Sequence, residues 1–237
     1  MRTLFLAFVL IISFSSCDQL AHIASQYPID NPSLAPTQAE IVAGLKDALK
    51  VGITNAVKQT NTTNGFYGNS LIKIPVPPEV VKIKKTLTDI GYTKPIEDFE
   101  QSLNRAAEQA SGKAVDIFVN SITQMTIEDA VGIWKGEDDA ATQYLKRTST
   151  AQLETAFTPI TKNAIESVGV TKYWDDIAKI YNNLPFVTPI NPDLEKYVNE
   201  KAIDGLFTLV AQEEKKIRED PAARVTDILK RVFGYEG

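Results

Sequence analysis

The sequence predicts an all-α fold: a multi-helix bundle of about eight to nine helices with one long irregular connection over about residues 60–78. Three observations predict this class. Apolar residues recur at helical spacing through most of the chain after Thr37. Strand-like and helix-like segments do not alternate, and no repeat of fixed length is found. Cap residues and prolines stand where the periodic segments begin.

The first periodic segment predicts a helix over about residues 37–59. Thr37 and Glu40 have the spacing of a capping box, in which each side chain accepts a hydrogen bond from the other residue's backbone N–H. An apolar stripe follows on one face of this helix: Ile41, Leu45, Leu49, Ile53 and Val57.

The stretch from Asn61 to Pro78 predicts the irregular connection. It begins with Asn-Gly turn chemistry, and apolar residues then alternate with Lys73 and Pro75, which indicates a locally extended backbone. Its prolines argue against a central strand, because proline has no N–H for a sheet.

Helical spacing returns after Pro78. One helix is predicted up to Gly91, and Pro95 opens a long segment with an alanine-rich stripe that continues to Phe118 and Ile122. Thr126 and Asp129 predict the cap of the next helix, which ends near Trp134. Further helices are predicted over about 137–148, 151–168 with a break at Pro159, 171–182, 192–219 and 221–233, the last opened by Asp220 and Pro221.

The N-terminus has the residue pattern of a secretory signal peptide. Arg2 precedes an apolar run from Leu4 to Ile12, which is far shorter than the roughly 20 apolar residues of a permanent membrane span. We therefore expect residues 1–16 to be a signal peptide. Residues 17–36, which hold three prolines, are expected to form a tether, and residues 37–237 a single helical domain.

Cys17, the only cysteine, follows Phe14-Ser15-Ser16 and resembles the lipid-modified cysteine of bacterial lipoproteins, although Phe14 stands where leucine is usual. The alternative is a plain signal peptide with an incidental thiol, but a free thiol is normally avoided in an oxidising envelope. We expect lipid attachment at Cys17 and anchoring to a membrane of the bacterial envelope. Asp18 favours inner-membrane retention in some bacteria, whereas other phyla follow different rules; our expectation is the outer membrane.

Several kinds of chemistry lack a required residue. His22, the only histidine, lies in the tether, so Cys/His and Ser-His-Asp catalysis and His- or Cys-based zinc sites lose a member. No phosphate-binding or dinucleotide-binding glycine motif occurs, and no basic stripe suits a nucleic acid. We therefore predict no catalytic residue, no metal, no cofactor and no nucleic-acid partner. The acidic cluster 137–139 is expected to place negative charge in the first turn of a helix, where the helix dipole favours it. Binding of a cation by this cluster stays open as the alternative.

A polar cluster of Glu214, Arg218 and Arg224 is the candidate site. Glu214 falls on the apolar face of its predicted helix, so its carboxylate should point into the core and need a guanidinium partner. Arg218, one turn on, and Arg224, beyond Asp220-Pro221, are the candidates. The cluster is either a buried clamp that locks the last two helices together or part of a ligand site.

Two segments, residues 136–160 and 205–234, resemble the bacterial envelope family catalogued as domain of unknown function 4197, and the resemblance extends over about 37–234. It implies a helical fold, often with a lipoprotein signal, and no activity or site residue.

Three functions stay open: a non-enzymatic helical module that binds an envelope protein or small ligand, a carboxylate-dependent enzyme on an envelope polymer, or a structural spacer. We favour the binding module, because the common catalytic constellations are missing.

Overall fold

The chain is a bundle of α-helices, and the computed structural model describes residues 35–235 of it. Within these residues nine α-helices and two short 3₁₀ turns form, and no strand does. The α-helices are α1 (Gln38–Thr60), α2 (Val81–Asp89), α3 (Thr93–Ser111), α4 (Ala114–Thr123), α5 (Ile127–Trp134), α6 (Ala140–Val168), α7 (Val170–Asn182), α8 (Leu194–Glu219) and α9 (Asp227–Phe233). The 3₁₀ turns are Pro78–Val80 and Pro221–Ala223. The predicted all-α class is confirmed.

The long helices α1, α3, α6 and α8 pack around one another and enclose most of the core. The capping box predicted at Thr37 and Glu40 starts α1, and the predicted stripe of that helix is buried. On α3 the alanines of the stripe are fully buried, which lets the neighbouring helices approach closely. Phe118 on α4 meets Phe207 on α8 edge to face, with ring centroids 5.5 Å apart.

The irregular connection between α1 and the Pro78 turn is held by one polar face of α3. The Asn104 side chain accepts a hydrogen bond from the Ile74 N–H and donates one to the Ile74 carbonyl. One turn on, the Glu108 carboxylate accepts from the N–H groups of Phe66 and Tyr67. Side chains of α3 therefore supply hydrogen-bond partners to backbone that belongs to no helix or strand.

Glu100, one turn before Asn104, pairs with both Lys73 and Lys84 at 2.7 Å. Burial raises the pKa of this carboxyl group, but the hydrogen bonds from the two lysines outweigh burial and hold the pKa below the usual value of a glutamate. Glu100 therefore stays charged and fastens both the second half of the connection, through Lys73, and α2, through Lys84, to α3.

The break expected at Pro159 is wrong: α6 runs without interruption from Ala140 to Val168 and replaces the two helices predicted over 137–148 and 151–168. Pro159 lies on the exposed face of α6. Its missing N–H leaves one backbone carbonyl of the helix without a partner, and water can donate a hydrogen bond to that carbonyl instead. Leu153, Phe157 and Ile165 on either side are buried, and this packing keeps the helix straight enough to continue.

Three other boundaries differ from the prediction. The long segment after Pro95 divides at Gly112, where a side chain would collide with Asn61, 2.7 Å from an ideal Cβ. Gly169, with φ of +75°, is the single residue that joins α6 to α7. The last helix begins only at Asp227, because Thr226 caps it and residues 221–223 form a 3₁₀ turn.

None of the helices in residues 35–235 combines the length and the hydropathy that spanning a membrane requires. The predicted signal peptide, Cys17, His22 and the tether up to residue 34 lie outside the described residues.

Candidate functional site

Glu214 is buried near the end of α8 with 7% of its surface exposed. One carboxylate oxygen accepts hydrogen bonds from the backbone N–H and the hydroxyl of Thr142, both at 2.8 Å. The other oxygen accepts the N–H of Ala141 at 2.9 Å. These two N–H groups belong to the first turn of α6, where the residue that precedes the helix, Asp139, makes no side-chain cap. Glu214 therefore caps α6 from another helix, and the positive end of the helix dipole favours its charge.

Arg218 is the guanidinium that meets Glu214. Its Nε and one terminal nitrogen donate to the Glu214 Oε1 at 3.1 and 2.9 Å, and its side chain is only 11% exposed. The same guanidinium donates to the carbonyls of Ile133 and Trp134, at the C-terminal end of α5. The Arg218 charge thus lies at the C-terminal, negative end of the α5 dipole, and the Glu214 charge lies at the N-terminal, positive end of the α6 dipole.

Arg224 does not contact Glu214. Its guanidinium donates to the carbonyls of Ile217 and Arg218 at 3.0 and 2.8 Å, which closes the C-terminal end of α8. Glu214 and Arg218 are therefore in contact, as predicted, whereas Arg224 binds the adjacent backbone of α8 and not the carboxylate.

The pair of Glu214 and Arg218, here called the Glu214 clamp, joins α8 to the end of α5 and the start of α6 rather than to α9. Both partners are fully hydrogen-bonded. The adjoining cavity is about 10 Å³, roughly the room of one water molecule, and its other walls are mostly apolar. The geometry is that of a structural clamp, with no space for a ligand at the carboxylate.

An open groove of about 360 Å³ lies between α5 and the start of α6. This Tyr144 groove is defined by Thr126, Glu128, Asp129, Gly132, Ile133, Ala140, Tyr144 and Arg147. Its two walls are α5 and the first turns of α6, the same two helix ends that the Glu214 clamp holds. The clamp therefore fixes the spacing of the walls without lining the groove.

Two polar groups in the groove have no hydrogen-bond partner within residues 35–235. Only 5% of the Tyr144 surface is exposed, but its hydroxyl is accessible to solvent and makes no hydrogen bond there. Arg147 forms neither a hydrogen bond nor an ion pair in this part of the chain, and its guanidinium lies 5.5 Å from the centre of the Tyr144 ring. The solvent-accessible Tyr144 hydroxyl and the Arg147 guanidinium therefore leave two binding groups on one groove for a solute.

Asp129 on the wall of the groove is charged at neutral pH. Hydrogen bonds from the Thr126 hydroxyl and N–H, both to one oxygen, hold the pKa of Asp129 below its usual value. Burial raises the pKa of Tyr144, and the nearby Asp129 adds to this, so its hydroxyl keeps its proton and can donate.

The acidic cluster at 137–139 precedes α6, which begins at Ala140, so the expectation that its charge lies in the first turn of a helix is wrong. Asp138 lies 3.6 Å from the Lys215 amine, and the Asp139 carboxylate accepts from the Gln143 amide. Within residues 35–235 no three acidic or other metal-binding side chains stand close enough together to hold a metal ion.

The family model described as protein of unknown function, DUF4197, matches residues 35–234. The chain belongs to this family. The match spans the described helices and confirms the resemblance seen in residues 136–160 and 205–234. No curated protein and no solved structure matches the chain.

Sequence patterns missed the Tyr144 groove. Tyr144 lies three residues after Ala141, at helical spacing, and looks like an ordinary core residue. The available signal was Gly132, a glycine inside a helix, where it lowers helix stability and so suggests a packing or functional reason. A Cβ built on Gly132 meets nothing within 4 Å, so the glycine leaves the floor of the groove open.

Proposed function

We propose that this DUF4197 protein is a membrane-anchored lipoprotein of the bacterial cell envelope whose helical domain is a non-enzymatic binding module. The observation that carries the binding function is the Tyr144 groove, where a hydroxyl and a guanidinium lack partners. The anchor rests on the apolar leader and on Cys17, which directly follows two serines.

The groove supports binding better than catalysis. A carboxylate-dependent hydrolase needs one carboxyl group with a raised pKa to donate a proton. Asp129 has the opposite perturbation, because it serves as the cap of α5 and its pKa is lowered. The clamp carboxylate of Glu214 is enclosed by its own hydrogen bonds and faces no groove.

Fractionation of cells tests the anchor. The unaltered chain should appear in the membrane fraction, preferentially the outer membrane, with a mass at the N-terminal Cys17 that includes the lipid. Cys17→Ser should move the protein to a soluble or an uncleaved pool, because two or three acyl chains at about 0.8 kcal/mol per buried CH₂ hold the mature form.

Ser16→Ala is the matched control, since it keeps a small residue before the thiol and should leave the protein at the membrane. Mature-sized Cys17→Ser protein in the membrane fraction would overturn the anchor and leave the binding function of the domain to be judged separately.

A further inference from the structure

We propose that the Tyr144 groove binds a small zwitterion, a ligand of the amino-acid or dipeptide class with a carboxylate and an ammonium group a few ångströms apart. This inference deepens the proposed binding function and rests on it. It is carried by four side chains on one groove: Glu128, Asp129, Tyr144 and Arg147.

The carboxylate end is assigned to Arg147 and Tyr144. Arg147 is a guanidinium without an ion pair within residues 35–235, and the planar fork of an arginine suits a carboxylate. The Tyr144 hydroxyl, on a ring held by the core, is a second donor without a partner. A carboxylate accepts from both groups at once, which satisfies two donors that the chain leaves open.

The ammonium end is assigned to Glu128 and Asp129. Glu128 is exposed and forms no ion pair in the described part of the chain. Thr126 binds only the Oδ2 atom of Asp129, so the Oδ1 atom remains able to accept. An ammonium group has three donors and matches two acidic acceptors.

Other ligand classes fit the groove less well. Two carboxylates repel a simple anion, and Arg147 repels a simple cation. The Tyr144 ring lies beneath the Arg147 guanidinium, so this face is not free to stack on a sugar. The groove volume of about 360 Å³ is at the small end of ligand sites, as a dipeptide requires.

Calorimetric titration of the full lipidated chain in detergent tests the assignment. The probes are L-alanyl-L-alanine and D-alanyl-D-alanine, compared with N-acetyl-alanine amide, which has neither charge. We expect at least one dipeptide to bind and the capped amide to bind at least tenfold more weakly, because it loses both charged contacts.

Variants of the groove separate binding from folding. Gly132→Leu should abolish binding, since its side chain enters open space in the groove and leaves the helix intact. Arg147→Gln should weaken the dipeptide at least tenfold and Tyr144→Phe about three- to tenfold. Tyr181→Phe is the matched control: Tyr181 is 2% exposed and lines none of the groove, so the affinity should not change.

Failure of both dipeptides to bind would overturn the zwitterion assignment. So would equal affinity for the capped amide, or dipeptide binding that survives Gly132→Leu in a variant with an unchanged melting curve. A separate result would overturn the proposed binding function. That result is recovery of the same envelope components, in the same amounts, with Gly132→Leu as with the native chain.

Discussion

Replacing Glu214 by glutamine tests the Glu214 clamp at a single atom. The carboxylate accepts five hydrogen bonds, two from Arg218, one from Ala141 and two from Thr142. Glutamine offers one oxygen and one NH₂ group. Whichever way the amide turns, its NH₂ faces an N–H or a guanidinium donor, and Arg218 loses its counter-ion.

The size of the effect follows from burial. Glu214 and Arg218 have side chains only 7% and 11% exposed, so solvent does little to replace the lost contacts. Removing one member of a buried ion pair costs about 3–5 kcal/mol. Arg218 keeps its hydrogen bonds to the carbonyls of Ile133 and Trp134 in the variant, so we expect a loss of unfolding free energy in the lower half of that range. For a domain of this size the melting temperature should fall by about 6–16 °C.

The assay is reversible unfolding in urea with circular dichroism, together with dipeptide titration of the folded variant. Glu200→Gln is the matched control on the same helix: its side chain is 52% exposed and its nearest lysine amine is 3.9 Å away. That change should cost less than about 0.5 kcal/mol. Since Glu214 does not line the Tyr144 groove, affinity per folded molecule should stay within about threefold. A loss of stability below about 1 kcal/mol, or abolished binding with an unchanged melting temperature, would refute the clamp.

Three further predictions concern the scaffold. The pKa of Glu100 is lowered in the folded chain, so charged Glu100 stabilises the fold above the usual pKa of 4.5, and this stabilisation is lost as the pH falls through the folded pKa. Glu100→Gln should therefore make the free energy of unfolding fall less steeply below about pH 4.5, as measured by urea unfolding across pH 3–7. Gly132→Ala should raise stability by about 0.5–1 kcal/mol, because α5 gains a helix former in open space. Gly205→Ala, the same change on α8, should lower stability by about 1–3 kcal/mol, since its Cβ would lie 2.6 Å from the Phe66 ring; equal melting shifts for the two alanine variants would contradict the packing.

Local rules predicted the parts of this fold that local chemistry decides. The capping boxes at Thr37 and Thr126 are found as expected, because their partners lie three residues away. The break at Pro159 was wrong because burial of Leu153 and Phe157 outweighs one missing hydrogen bond on an exposed face. Propensity cannot measure that packing before the neighbouring helices are known.

The candidate cluster shows the same limit. Helical geometry placed Glu214 on the core side and offered Arg218 one turn away, and both fall within a few residues of each other. The N–H groups that Glu214 caps belong to residues 72 and 73 positions earlier, and no spacing rule reaches them. Tyr144 was missed for a related reason: only the placement of α5 beside it turns a core tyrosine into a groove residue.

Whether this protein is an anchored module that binds through the Tyr144 groove is best tested by recovering envelope components with the native lipidated chain and with Gly132→Leu. Both forms are isolated from the membrane in equal amounts, and the associated proteins and small molecules are identified by mass spectrometry. We expect a component that is enriched with the native chain, keeps its chemical structure during incubation, and is lost with Gly132→Leu. Equal recovery with both forms, or conversion of that component into a product, would contradict it.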